Sequence, residues 1–267
     1  MGEFEGSDDK SSIVHSTHVP DSLRWEHFLN IFNHQFFDYK REAEFVHKWI
    51  GERNYKVNDI LDMGCGIAYH LLHLRKMGYS CVGIDRDAGS LEYTQRFVTG
   101  KDIPLITGDI LQEPASEIRD RFDLVLAKHL SFTTDDTETL LRNARRMLKA
   151  DGPKLIVIDF ITTNGEGLER NIFSMDTHVE EGFNIARVNN MELATGTNKY
   201  NWQGLYLLKQ KGCTLDIKVD SGSLWFHTID DVMSVLDKVD VSVDRSRSKS
   251  TSPTRLSGIT IYGKFRD

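Results

Sequence analysis

Apolar residues recur at helical spacing in the first part of the chain, after a polar stretch. Residues 1–20 mix charged residues, serine and histidine without periodicity, and we expect them to form a flexible leader. From Asp21 onward, two apolar stripes at three- and four-residue spacing predict two helices. Their members are Trp25, Phe28, Leu29, Phe32 and Phe36, then Phe45, Val46, Trp49 and Ile50. Gly51 lies just past the second stripe, where a helix C-cap belongs, so residues 21–56 are predicted to form an N-terminal helical lid.

Short continuous apolar runs then alternate with amphipathic segments. The runs cover residues 57–61, 80–84, 103–106, 124–127 and 155–158. Several are too continuous for strands exposed on one face, so we expect strands that are covered on both faces. One intervening helix is marked by Leu140, Leu141, Ala144 and Leu148, with Asp135 or Asp136 as its N-cap. The alternation predicts an α/β fold with a Rossmann-like, doubly wound sheet.

After Asp159, glycines spaced like turn signals replace this alternation. Candidate strands at 191–196, 203–209, 214–219 and 223–226 predict an antiparallel β cover inserted over residues 165–228. A helix follows from Thr228, with Asp231 completing a capping box. Runs at 239–243 and 258–264 then form a terminal hairpin, which makes the last strand of the mostly parallel sheet antiparallel. We expect a solvated loop over 244–255, and a core formed by 57–164 and 229–267.

Composition limits the class of protein. The 267 residues carry a formal net charge of −7, and three cysteines are too few for a disulfide framework. No apolar run approaches the roughly 20 residues of a membrane span, and the acidic N-terminus does not resemble a signal peptide. The acidic balance also disfavours broad contact with nucleic acid. We therefore expect a cytoplasmic enzyme that acts away from membranes, and a homodimer remains an open option.

The most informative motif is a glycine turn in the segment NDILDMGCGIAYHLLHL, residues 58–74. A strand leads into Asp62, Gly64, Cys65 and Gly66, and a helix opens near Ala68. Glycine lets the backbone approach a ligand closely, and a helix N-terminus offers unpaired N–H groups. Asp85 ends the next strand, 21 residues after Gly64, where a nucleotide-binding βαβ unit holds a ribose diol. The turn therefore predicts a nucleoside-cofactor site.

The residues around the turn favour one type of cofactor. The dinucleotide fingerprint G-x-G-x-x-G lacks its third glycine here, which disfavours a nicotinamide dehydrogenase. Asp62 lies two residues before the first glycine, a position that suits a cationic sulfonium with an amino-acid tail better than a pyrophosphate. The pattern D-x-G-C-G resembles that of the class I S-adenosylmethionine-dependent methyltransferases. The resemblance implies S-adenosyl-L-methionine as the cofactor.

Further segments carry the same resemblance. TGDI at 107–110 places Asp109 where family members bind the adenine amino group, and 122–132 resembles the fourth strand, whose end lies beside the methyl group. Residues 149–160 resemble the approach to strand five, although Asp151-Gly152-Pro153 departs from the usual P-G-G order. The implied cofactor-binding residues are Asp62, Gly64, Cys65, Gly66, Asp85, Arg86, Asp109, Ile110 and Lys128, with Tyr39 closing over the cofactor from the N-terminal helices.

A narrower resemblance concerns the acceptor. The helix DYKREAEF at 38–45, the segment CGIAYHL and the antiparallel insertion are similar to those of small-molecule N-methyltransferases, which act on sugar amines or on glycine and related amines. In that group the turn usually reads C-G-T-G-x-H-L, and Ile67-Ala68 departs from it. The resemblance implies a small-molecule acceptor that is methylated on nitrogen.

Two residues are candidates for catalysis. His129 directly follows the fourth strand, where the acceptor is expected, and histidine titrates near neutral pH. Asp159, at the end of strand five, is a candidate for orienting a cationic or hydroxyl substrate. The alternatives are a polar residue at a strand end for His129 and a loop cap for Asp159. Positioning supplies on the order of 7–11 kcal/mol to such a reaction, and a general base about 10²–10⁴-fold in rate.

Several other functions stay open. A small-molecule O-methyltransferase would use His129 as its general base. An RNA or protein methyltransferase would use the basic stretch 244–255, with a local charge of +3. A binding module without turnover is disfavoured by the complete set of motif residues. His70 and His73 lie three residues apart on a helix but have no cysteine or acidic partner at ligand spacing, so no metal site is predicted.

Overall fold

The computed structural model describes residues 21–99, 102–163, 168–180, 182–250 and 257–266. The leader predicted over 1–20 and the segment 251–256 of the predicted loop lie outside these ranges. The helices are α1 (Arg24–His34), α2 (Tyr39–Glu52), α3 (Tyr69–Lys76), α4 (Ala88–Phe97), α5 (Thr134–Met147) and α6 (Ile229–Lys238). The strands are β1 (Asp59–Met63), β2 (Ser80–Asp85), β3 (Leu105–Thr107), β4 (Leu124–Ala127), β5 (Leu155–Thr162), β6 (Asn171–Glu180), β7 (Phe183–Leu193), β8 (Lys199–Gln210), β9 (Leu215–Trp225), β10 (Val241–Ser250) and β11 (Ser257–Phe265).

A seven-stranded sheet forms the centre of the molecule, in the order β10-β11-β5-β4-β1-β2-β3. Strands β1 to β5 pair in parallel, whereas β11 runs antiparallel to both β5 and β10. The doubly wound fold with an antiparallel terminal hairpin is therefore confirmed. The chain order reverses between β1 and β4, and ligands of such sheets bind at the carboxyl ends of the strands beside this switch point.

Helices cover both faces of this sheet. On one face, α5 and α6 contribute Leu140, Ala144 and Leu236 to a core cluster with β1, β4 and β5. On the other face, α2 and α3 contribute Trp49 and Leu71 to a second cluster. Every residue of β4 is fully buried, which is why its sequence is continuously apolar. The N-cap of α5 is Thr133, whose hydroxyl accepts from the N–H of Asp136, so the prediction of an aspartate cap was wrong.

A separate four-stranded antiparallel sheet, in the order β6-β7-β8-β9, confirms the predicted insertion. Phe28 and Phe32 of α1 pack on its inner face, against Ile185, Tyr206 and Leu208. The predicted strand boundaries were partly wrong. Strand β6 was not predicted, because its polar and apolar residues alternate without a continuous run. The two strands predicted on either side of Gly222 are one, because β9 pairs with β8 without interruption through Gly222, which lies opposite Trp202. The Trp202 indole covers the backbone there, since a Cβ at Gly222 would lie 2.8 Å from its Nε1.

The terminal hairpin is longer than the sequence predicts. Residues 244–250 continue β10, and after a register shift at Asp244 residues 245–250 pair with β11, so the loop predicted to begin at 244 was wrong for this part. The strand tolerates polar residues because it lies at the edge of the sheet and contacts α2, where Arg245 pairs with Glu52. Gly51 lies inside α2 and not at its C-cap, which is Arg53. Within the described ranges, every helix is too short or too polar to cross a membrane.

Candidate functional site

The glycine turn lies between β1 and α3, at the switch point of the sheet. Gly64 and Gly66 have φ values of +75° and +50°, a region that favours glycine. The N–H groups of Gly64 and Cys65 donate to the carbonyl of Ile84 at 2.8 and 3.1 Å, which anchors the turn to β2. A Cβ added to Gly64 would lie 2.6 Å from Cδ2 of Leu130. The backbone angles therefore favour glycine at position 64, and a Cβ there would also displace the end of the Leu130 side chain.

Asp85 supports the turn from the end of β2. Its Oδ2 accepts from the N–H of Gly66 at 2.9 Å, and its Oδ1 accepts from the N–H of Asp87 at 2.9 Å. The side chain thus holds the turn and also lines a cavity of about 290 Å³. The other predicted cofactor residues that line this cavity are Gly64, Arg86, Asp109 and Ile110. The structure therefore brings five of the predicted residues to one cavity.

Asp62 is a buried carboxyl group beside this turn, only 2% exposed. Burial raises the pKa of Asp62 to about 8; the charge of Lys128 opposes the shift, and those of Asp85 and Asp159 add to it. No described residue donates a hydrogen bond to its carboxyl group. A buried polar group without a partner is costly, so the arrangement favours a ligand that brings a cation or an N–H group to Asp62.

A second group of charged side chains is centred on Glu42 of α2, next to the residues that follow β4. The carboxylate Oε2 of Glu42 accepts from Nε2 of His70 and of His129 at 3.0 Å each, and Nζ of Lys128 lies 3.1 Å away. Lys128 also donates to both carboxylate oxygens of Asp159, at 2.9 and 3.0 Å. Sequence reasoning did not find Glu42, because it lies on an ordinary amphipathic helix 87 residues before His129. The only signal was an acidic residue on the buried face of α2.

The network settles the charge states of its members. Burial alone would raise the pKa of Glu42, but the hydrogen bonds from His129 and His70 and the charge of Lys128 hold it well below its usual range. Burial lowers the pKa of His70 to about 4, so this ring is neutral near pH 7 and donates through Nε2. Burial opposes the charge of Lys128, but Asp159 and Glu42 raise the pKa of the lysine above its usual value. The network thus holds two carboxylates and one ammonium group in their charged forms.

The same cluster has a donor set that transition metals use. One ligand atom each from Glu42, His70 and His129 lies within 4.8 Å of the others. The expectation that His70 has no acidic partner was wrong, because Glu42, which lies on a different helix, is within hydrogen-bonding distance of it. The Lys128 ammonium, however, lies 3.1 Å from the same Glu42 oxygen and already balances its charge. A dication there would be repelled at close range, so we assign the cluster to hydrogen bonding.

A second cavity, of about 580 Å³, opens on the far side of His129. Asp159, Phe37 and Thr260 line it, and it shares His129, Leu130 and Ser131 with the first cavity. Ser131 is tied to the end of β9, since its hydroxyl accepts from the N–H of Trp225 at 2.6 Å. The segment 129–131 thus forms the wall between two cavities, and the second sheet is fastened to it.

Five predicted cofactor residues lie outside the lining of the first cavity: Asp62 and Gly66, which are described above, and Cys65, Lys128 and Tyr39. The thiol of Cys65 packs towards Gly83, where a Cβ would lie 2.6 Å from Sγ, and burial raises its pKa. Lys128 belongs to the network around Glu42. Tyr39 lies in an aromatic cluster, with its ring centroid 5.1 Å from that of His70 and 6.0 Å from that of His129. Burial raises the pKa of Tyr39, so its phenol stays protonated.

Comparison with known proteins agrees with this geometry. Residues 60–152 match the family described as a methyltransferase domain. An S-adenosylmethionine-dependent methyltransferase from Clostridium acetobutylicum aligns over 91% of this chain and 100% of its own, with 15% identity and a TM-score of 0.74. The sugar N-methyltransferase KedS8 from Streptoalloteichus aligns over 90% and 93%, with 18% identity and a TM-score of 0.69. No curated protein sequence matches the chain significantly.

A third structure, CalS10, is an amino pentose methyltransferase from Micromonospora echinaspora solved with S-adenosylmethionine bound. It aligns over 88% of this chain and 95% of its own, with 15% identity and a TM-score of 0.67. These structural likenesses show the fold, and the match of the methyltransferase domain family includes the glycine turn, as its resemblance predicts. Residues 60–152 thus match the methyltransferase domain family, and the chain has the fold of the S-adenosylmethionine-dependent class I methyltransferases.

Proposed function

We propose that this enzyme transfers the methyl group of S-adenosylmethionine to an amine nitrogen of a small molecule. The observation that carries the proposal is the pair of cavities that meet at residues 129–131. A methyl donor in one cavity and an acceptor in the other would meet beside residues 129–131, where the acceptor atom would reach the methyl carbon directly. The second cavity lies within the volume range of small-molecule sites, which is about 300–1,000 Å³.

The residues around the first cavity fit the cofactor. Asp62 offers a buried carboxyl group that lacks a donor and would receive the ammonium group of the amino-acid tail. The open backbone at Gly64 would allow close approach, and Asp85 and Asp109 would hold the ribose and the adenine amino group, as the resemblance implies. When bound, S-adenosylmethionine supplies a methyl carbon that is already activated for in-line displacement. The chain itself must position the acceptor and manage its proton.

His129 and Glu42 provide the means to manage that proton. Because Nε2 of His129 donates to Glu42, the neutral ring carries its lone pair on Nδ1. A protonated amine would pass its proton to this Nδ1, and the Glu42 carboxylate would stabilise the imidazolium that forms. Asp159, in the wall of the second cavity, would attract the cationic amine. His129 is thus proposed as the general base and Glu42 as the residue that positions it.

The cofactor assignment is tested by calorimetry with S-adenosylmethionine and with NAD. We expect binding of the first only, and micromolar binding of NAD alone would contradict the proposal. Asp85→Ala is expected to weaken S-adenosylmethionine binding by about one to a few kcal/mol, because a charged acceptor is lost. Unchanged affinity would show that Asp85 does not contact the cofactor.

The acceptor atom is tested with His129→Ala and a panel of small amines and alcohols, read by mass spectrometry of the methylated products. An amine becomes neutral in solution as the pH rises, so the variant should lose less than about 10²-fold in turnover and recover at high pH. An O-methyltransferase would lose 10²-fold or more without such recovery. His178→Ala, on the second sheet, is the matched control.

Methylation of RNA or protein through residues 244–255 gains no support from the described part of that stretch. Arg245 is paired with Glu52 at 2.7 Å, and Asp244 accepts a hydrogen bond from Tyr55. These contacts direct the strand onto α2. Filter binding of an RNA pool at low salt would detect such a role, and we expect only weak binding that vanishes with added salt.

A further inference from the structure

We propose that the second cavity contains an anion-binding subsite formed by Arg41 and Arg247, so that the acceptor amine also carries a phosphate or carboxylate group. This inference rests on the proposed function, because it describes the acceptor of the same site. It begins from two arginines that line the cavity together with His129. They are 206 residues apart in sequence, on α2 and β10.

One aromatic ring holds both guanidinium groups. The Cζ atom of Arg247 lies 3.7 Å from the ring centroid of Phe45, and that of Arg41 lies 5.7 Å from it. Such cation–π contacts leave the N–H groups at the edge of the guanidinium plane available to a ligand. The arrangement restricts two long side chains before any ligand binds, which lowers the entropy that binding must overcome.

Neither arginine forms an ion pair with a carboxylate among the described residues. The nearby carboxylates have other partners: Asp38 accepts from the N–H of Arg41, and Asp159 accepts from Lys128 and Thr260. By contrast, Arg245, two residues before Arg247 on the same strand, is paired with Glu52. The guanidinium groups of Arg41 and Arg247 are therefore not neutralised by an ion pair among the described residues, and Asp38, which lines the same cavity, bonds to the backbone N–H of Arg41.

This charge suits an oxyanion. The planar fork of arginine matches phosphate and carboxylate oxygens, and Arg41 lies in the first turn of α2, where the helix dipole also favours negative charge. An acceptor with its amine near His129 and its anionic group near Arg247 would span the cavity. The subsite would thus orient the acceptor, which is the main way this chemistry is accelerated.

The subsite is tested by calorimetric titration of the full chain with inorganic pyrophosphate and, separately, with acetate. Preference between the two probes identifies phosphate or carboxylate. We expect Arg247→Ala and Arg41→Ala each to weaken binding by about tenfold or more, and Arg245→Ala to leave it unchanged. Arg247→Lys keeps the charge and should bind with intermediate affinity, which guards against a folding defect in the alanine variant.

Two results would overturn the subsite: no binding of either anion, or equal binding by all variants. The same samples are titrated with S-adenosylmethionine to separate the two proposals. If the wild type binds S-adenosylmethionine but neither anion, the proposal of the subsite is refuted and the proposed function is not. If the wild type binds an anion but not S-adenosylmethionine, the proposed function is refuted and the anion site is not.

A different surface carries a second proposal. The outward face of the second sheet is apolar over adjacent strands, and its most exposed members are Phe173, Met175, Val179, Ile217 and Val219, at 60–75%. The pairing register places Met175, Val188, Leu205 and Val219 in one row across all four strands, and Thr177, Ala186, Leu207 and Ile217 in the next. The apolar positions therefore form one contiguous patch.

We infer that this face binds a second copy of the chain. The two rows named above carry no charge, so two copies of an acidic protein meet there without repulsion. The leader 1–20 is a poorer occupant, because it is rich in charged and polar residues and has few apolar ones.

Analytical ultracentrifugation of the full chain tests this interface. We expect a dimer that Ile217→Glu and Met175→Glu convert to a monomer, whereas Met233→Glu, an exposed apolar position on α6, leaves it dimeric. Deletion of residues 1–20 should leave the protein dimeric. A monomeric full chain that associates only after this deletion would assign the face to the leader and overturn the proposal, as would a dimer that survives both face substitutions.

Discussion

Replacing Asp62 by asparagine isolates the charge that is buried beside the glycine turn. The two side chains have nearly the same size, but only aspartate ionises. The pKa of Asp62 rises from 3.8 to about 8, which is about four units at about 1.4 kcal/mol each. Ionising the native protein at this position therefore costs on the order of 5 kcal/mol, and the variant does not bear this cost.

The sign of the effect follows from proton binding. Between about pH 4 and pH 8 the unfolded chain has released the Asp62 proton while the folded protein keeps it. The unfolded state thus binds fewer protons, and the contribution of Asp62 to stability falls as the pH rises, by up to about 1.4 kcal/mol per unit. The free energy of unfolding of Asp62→Asn minus that of the wild type should grow by this slope from pH 5 to pH 8.

Denaturant unfolding without cofactor at pH 5, 6, 7 and 8 measures this difference. Asp102→Asn, on an exposed part of the chain, controls for the loss of one negative charge. A difference that stays constant across this range would refute the argument that Asp62 is held protonated by burial. In a second arm, saturating S-adenosylmethionine should stabilise the wild type but not Asp62→Asn, because the carboxylate that would pair with the cofactor ammonium is gone.

Three further predictions follow from the same site. Glu42→Gln removes the carboxylate of a buried charge network, so the free energy of unfolding in denaturant should fall by about 3–5 kcal/mol. Turnover should also fall, because His129 is no longer held in place. If neither value changes, the network does not have this role. Gly64→Ala should lower the thermal unfolding temperature more than Gly78→Ala does. Both glycines have positive φ, but a Cβ has room only at Gly78. An equal drop in both variants would exclude the steric contribution at Gly64. The pKa of His70 is lowered to about 4, so on acidification the unfolded chain binds the proton of this histidine before the folded protein does. The free energy of unfolding should therefore fall from about pH 6.5 to pH 4 by on the order of 3 kcal/mol. In a pH series His70→Gln should flatten that fall, and an unchanged slope would argue against a neutral His70.

The fold was largely predictable because its signals are local. Strand β4 was predicted with its observed boundaries, since a strand covered on both faces must be apolar at every position. The glycine turn was likewise readable, because Gly64 and Gly66 adopt backbone angles that other residues resist. The capping box of Thr228 and Asp231 also appeared as predicted, and each of its hydrogen bonds spans only three residues.

The errors arose where contacts across the sheet override local pattern. Residues 244–250 look like a polar loop, yet they form a strand because β11 and α2 offer partners for their backbone and side chains. The first strand of the insertion was not predicted because, apart from the buried Ile172, its apolar residues point outward, away from the core. In both cases the sequence shows which residues are polar and which are apolar, but it does not show which strand or helix the segment packs against.

By itself, the sequence predicted the methyltransferase fold, the glycine turn at the switch point, and Gly64, Asp85 and Asp109 as neighbours at one site, because these depend on a strand, a turn and a helix that follow one another along the chain. Only the tertiary structure placed Glu42 between His70 and His129, and Arg41 beside Arg247. Such pairings join residues that are tens to hundreds of positions apart. Their geometry depends on how the helices and the terminal hairpin pack against the sheet, and no periodicity in the sequence records it.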